Sequence, residues 1–158
     1  MSQKRRIYDS LLTPQDVLEI ILVVIARSLL GLFLSSVMGM LLYVVTVPVV
    51  QSIWEIREIN AALVAVLVFG FSSGVGSFLG WLYRDISRTA IVVMLFLSVT
   101  ASLLGAWGGL HNSQDVYKLL GLPGIPALTG IIYGAVLAGN IFNSTIGIFR
   151  KARNPRLR

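Results

Sequence analysis

Cysteine is absent from the 158 residues. That excludes disulfides, thiol catalysis, zinc–thiolate sites and iron–sulfur clusters held by thiolates. Histidine occurs once, as His111, so no multi-histidine metal site can be built from the chain alone. Charge is scarce: Asp, Glu, Lys and Arg make up 13% of the residues, against about 25% in soluble domains. Too few charges remain to solvate a water-facing surface, so most of the exterior must meet something apolar. No hydrolytic triad, phosphate-binding glycine loop or pair of buried carboxylates is present. No acidic residue lies within the last three apolar runs, which argues against proton-coupled transport and intramembrane aspartyl proteolysis.

What the chain has is hydrophobic length. Uncharged runs extend over 28–54, 61–83, 89–110 and 126–149. About 20 apolar residues cross a ~30 Å hydrocarbon layer as a helix, and lipid leaves no other partner for the backbone of a long continuous run. The fold class read from this is all-α: one integral membrane domain over 1–158, a four-helix bundle with spans near 24–50, 61–83, 89–110 and 126–149. The first helix is expected to start before the membrane, where Thr13-Pro14-Gln15-Asp16 supplies an N-cap, a proline at the first helical position and an early acid. It is too long for one perpendicular span and is read as partly interfacial, with Pro48 near its far end able to kink or close it. A short surface helix is expected between spans three and four, capped by Ser113-Gln114-Asp115 and ended by Gly121 and Pro123. The N-terminal stretch does not read as a cleaved signal peptide.

The net charge of +6 is concentrated at the ends, in Lys4, Arg5 and Arg6 and in Arg150, Lys151, Arg153, Arg156 and Arg158. These clusters flank apolar segments, so the reading is topological and not nucleic-acid binding. Lys and Arg count ten on one side of a four-span arrangement and two on the other, with Arg27 left out. The positive-inside rule then places both termini, with the basic segment 150–158, in the cytoplasm. The expected setting is a bacterial inner membrane or its organelle equivalent.

Each span carries small residues at helical spacing, the pattern that lets helices approach in lipid. They are Ser28, Gly31, Ser35 and Gly39; Gly70, Ser73, Gly74, Gly76, Ser77 and Gly80; Ser98, Ser102, Gly105 and Gly109; and Ala127, Gly130, Gly134 and Ala138. The second set covers the widest arc and marks that span as central. Packing is the first reading of these stripes; a glycine-lined gate is the other. Trp54, Trp81 and Trp107, with Tyr43, Tyr83 and Tyr133, read as interfacial aromatics.

Few side chains carry chemistry. Arg27 is read as reaching a phospholipid headgroup, with an ion pair to a partner subunit or a transport role as alternatives. Asn140 and Asn143, a turn apart near mid-membrane, are read as an interhelical polar clamp, or else a ligand contact. Arg84 and Arg88, with Arg150, Lys151 and Arg153, are read as contacts to partners or lipid headgroups. His111 can in principle ligate a haem or chlorophyll; without a second histidine or a CxxCH motif it is read as an interfacial hydrogen-bonding residue. No motif names a cofactor. The partners implied are the bilayer and other membrane subunits, and the expected role is a non-catalytic subunit or scaffold of a larger membrane complex. The alternative is a small homo-oligomeric channel or transporter.

Overall fold

A computed structural model describes residues 14–54, 61–82, 87–115 and 125–153. Among them the chain is helical without strands, in four long helices: α1 (Pro14–Trp54), α2 (Ala61–Gly80), α3 (Arg88–His111) and α4 (Pro126–Arg153). Each is long and apolar enough to cross a membrane.

The helix ends follow local chemistry. Pro14 and Pro126 open α1 and α4, where a missing N–H costs nothing. Ser87 caps α3 in extended geometry, its hydroxyl accepting from the Ala90 N–H at 3.3 Å. At the other end of α3, Asn112 donates from its backbone N–H and its Nδ2 to the Gly108 carbonyl, at 3.0 and 2.8 Å. Three bounds differ from those read in the sequence. α2 stops at Gly80 and breaks into a turn at Trp81, short of Tyr83. α4 continues through Arg153, because nothing in Arg150, Lys151 or Arg153 opposes helix and cations suit a helix C-terminus. α1 runs six residues past Pro48 to Trp54. The remainder of the expected surface helix, beyond Asp115, lies outside the described residues.

The packing order is a four-membered arrangement with one long diagonal. α2 and α4 each touch all three other helices, whereas α1 and α3 do not meet. The second span is therefore central, as its wide small-residue face implies, but it shares that position with α4. α1 is peripheral: 6% of its most apolar window is buried, against 56% for α2.

The interior divides along the bundle axis. At the His111 end lies an apolar layer of Ala65, Val66, Phe69, Ala106, Ile131 and Ala135. Tyr43 stacks on Phe69 with ring centroids 5.1 Å apart. Toward the Arg27 end most buried side chains are polar, Ser35, Ser72, Ser73, Ser77, Ser98, Ser102, Asn140 and Asn143, with Phe78 and Trp81 buried beside them.

Candidate functional site: a polar interior half held by glycine contacts

Glycine sets how close the helices come. A Cβ built on Gly109 or Gly130 would strike the other residue's carbonyl oxygen, and one on Gly134 would strike that of Gly105. The α3 and α4 backbones thus lie against one another, close enough for Cα–H···O contacts. On the α1–α2 seam Gly80 faces Gly31 and Gly76 faces Ser35, while Gly39 receives the Phe69 ring. Gly70 and Gly74 lie against Leu103 and Val99 of α3. The glycines singled out in the sequence for packing, from Gly31 to Gly134, thus each lie against a residue of another helix. Gly108 differs: nothing lies within 4 Å of a Cβ built there.

That approach brings hydroxyls and carboxamides into one buried layer. Asn143 Nδ2 shares its two N–H groups among three acceptors, the Gly139 carbonyl at 2.8 Å, Ser77 Oγ at 3.0 Å and Ser98 Oγ at 2.7 Å. Ser98 and Ser77 in turn donate to the Gly74 carbonyl at 2.7 and 3.2 Å. One carboxamide so ties α4 to both α2 and α3. Asn140 reaches less far. Its Nδ2 donates to the Val136 carbonyl of its own helix at 2.8 Å, and Ser35 Oγ of α1 lies at 3.5 Å. Ser35 donates across to the Ser73 carbonyl at 3.0 Å.

A backbone carbonyl only accepts, so Gly139 and Val136 fix which end of each amide is nitrogen. Both Oδ1 atoms then face away from those carbonyls. They are buried without a partner among the described residues, as are Ser73 Oγ, Ser102 Oγ and the Trp81 indole N–H. An unmet buried polar atom costs about 1–3 kcal/mol, so this half of the interior is held with polar capacity to spare.

Arg27 has a specific place. Its Nη1 donates to the Leu82 carbonyl at 3.2 Å, just past the end of α2, where helix carbonyls lack intrahelical partners. The guanidinium caps α2 from α1, a role not considered for it in the sequence. Trp81 also departs from expectation. It is buried to 1% exposure, its six-membered ring lodged where a Cβ on Gly147 would sit, so it does not stand in an interfacial belt. Trp107, at 50% exposure, is outward-facing. Arg88 is exposed at the start of α3. Arg150 Nη1 lies 3.8 Å from Met94 Sδ, and Lys151 and Arg153 fall on the last turn of α4. Arg84 lies outside the described residues.

Sequence reasoning passed over Gly139 and Gly147. The signal was there: Ala135, Gly139, Asn143 and Gly147 recur at intervals of four and all four are buried. They form a second inward stripe of α4 beside that of Gly130 and Gly134.

No protein-family model, curated protein or solved structure matches the chain.

Proposed function

We propose that the chain is an integral membrane protein of four spans, both termini cytoplasmic, acting as a non-catalytic subunit or scaffold of a larger membrane assembly. The observation that carries this reading is the exterior of α1. Its apolar stretch Val17–Thr46 has 30 residues, about 45 Å by helical rise, against a hydrocarbon layer of ~30 Å. Gly31 sits opposite Gly80, and Arg27 reaches Leu82, so the segment before Arg27 continues past the end of α2. Val17, Leu18, Ile21, Leu22 and Ile25 are all exposed on it. Lipid of ordinary thickness does not cover that length in an upright helix, and a neighbouring subunit would.

The interior supports a scaffold over a pore within one chain. The polar half is crossed by hydrogen bonds from helix to helix, and the apolar layer around Phe69 and Ile131 closes the other half. The basic end, with Arg88, Arg150, Lys151 and Arg153, suits an acidic partner surface or anionic headgroups. No described cluster supplies a nucleophile with its base.

Gentle detergent extraction followed by native separation tests this. The chain should migrate with other polypeptides, and replacing Leu18, Ile21 and Leu22 by Gln, or removing residues 150–158, should release it. Migration at unchanged mass after both changes refutes the scaffold reading. Solute flux through liposomes holding the purified chain alone would favour the homo-oligomeric channel instead.

A further inference from the structure

At the end of the bundle away from Arg27, a groove of about 440 Å³ opens between α2 and α3. It is lined by Leu63, Trp107, Leu110 and His111. The size lies within the ~300–1,000 Å³ of cofactor and small-molecule sites. Three walls are apolar or aromatic and one is an imidazole.

The imidazole is oriented. His111 Nδ1 lies 3.0 Å from the Trp107 carbonyl oxygen, one turn back on α3, and its ring meets the Trp107 ring at a centroid distance of 4.8 Å. The carbonyl only accepts, so the neutral ring carries its proton on Nδ1 and leaves Nε2 unprotonated. Donation of the second ring nitrogen to a carbonyl is the arrangement that fixes the tautomer and ring orientation of metal-ligating histidines.

The number of ligands selects the kind of metal group. Among the described residues no three His, Cys, Asp or Glu side chains come together, so a bare ion would lack ligands here. A metal already held by a planar tetrapyrrole brings four nitrogens of its own and asks the protein for one axial base. The flat apolar ring needs a greasy slot beside that base, and Leu63, Leu110 and Trp107 form one. We propose that His111 Nε2 is an axial ligand for a metallotetrapyrrole seated in the α2–α3 groove. This stands apart from the scaffold reading and adds a cofactor to it.

Iron protoporphyrin is the probe, titrated into the purified full-length chain in a detergent below the heme's own aggregation threshold. The expected result is saturable one-to-one binding with a shifted, sharpened Soret band. His111→Ala should weaken binding at least tenfold, and added imidazole should restore the band in that variant, because the groove remains. Leu63→Trp, which fills the slot and leaves His111 in place, should also lose the ring. Binding that is unsaturable, or that survives both substitutions at wild-type strength, overturns the proposal. So does the absence of any spectral change with the wild type. Assembly partners do not enter these measurements, so their outcome is separable from that of the scaffold test.

Discussion

Asn140 and Asn143 carry the same functional group one turn apart, yet they do different work. Asn143 donates to Ser77 and Ser98 on two other helices, at 3.0 and 2.7 Å. Asn140 makes its short hydrogen bond to its own helix, packs its Oδ1 against Gly31 of α1, and reaches Ser35 of α1 only at 3.5 Å. Interhelical hydrogen bonds in bilayers contribute ~0.6–2 kcal/mol. Asn143→Ala should therefore destabilise the bundle by about 1–2 kcal/mol, and Asn140→Ala by clearly less. Unfolding free energies of both variants in one lipid–detergent mixture check this, and an equal loss for the two would show that the geometry does not set the energetics. The need for partners was legible from carboxamides in an apolar run. Which asparagine has them was not, because a turn's rotation of α4 decides whether a side chain faces α1 or the α2–α3 pair. Arg27 is a similar case. Its depth is a sequence property, but its acceptor is a carbonyl 55 residues away.

Among the elements, α3 and α4 are the most intimately paired. Gly134→Val would push a branched side chain into the Gly105 carbonyl and should cost at least ~2 kcal/mol, at the upper part of the range for overpacking. Gly108→Ala is the contrasting change. Its methyl meets nothing, and alanine's helix propensity should leave stability unchanged or raise it by up to ~1 kcal/mol. Thermal melts of the two variants beside wild type would decide, and a loss at position 108 would contradict the described face of α3. The glycine stripes themselves were readable from spacing. Their pairing was not, since every stripe fits any other at this level, and the mutual contact of Gly105 and Gly109 with Gly134 and Gly130 depends on helix order. α1 shows the same limit in another way. Its length was evident, but not that among the described helices it touches α2 and α4 and not α3.

For the whole molecule, the cysteine-free sequence permits a direct test of orientation. Ser2→Cys and Arg158→Cys, made singly, should be labelled by an impermeant maleimide from the same side of sealed vesicles, and Gln114→Cys from the opposite side. Labelling of the two ends from opposite sides would require an odd number of crossings and would end the four-span reading. At this scale the division of the core also has a consequence. Polar side chains toward the Arg27 end, with Phe78 and Trp81 buried beside them, meet an apolar layer around Phe69, so the described interior offers no continuous polar path through one chain. Purified single chains in liposomes should show no solute flux above empty vesicles.

Composition and the spacing of charges and glycines were enough to determine four apolar helices and the residue types through which they pack. Those properties belong to single segments: length against bilayer thickness, and the small volume of glycine, need no knowledge of neighbours. The tertiary structure alone decided that α2 and α4 share the centre, that Trp81 turns inward onto Gly147, and that Asn143 rather than Asn140 joins three helices. Each of these depends on how one helix is rotated and ordered against another, and helix faces in an apolar chain differ too little in hydrophobicity for sequence to set that rotation.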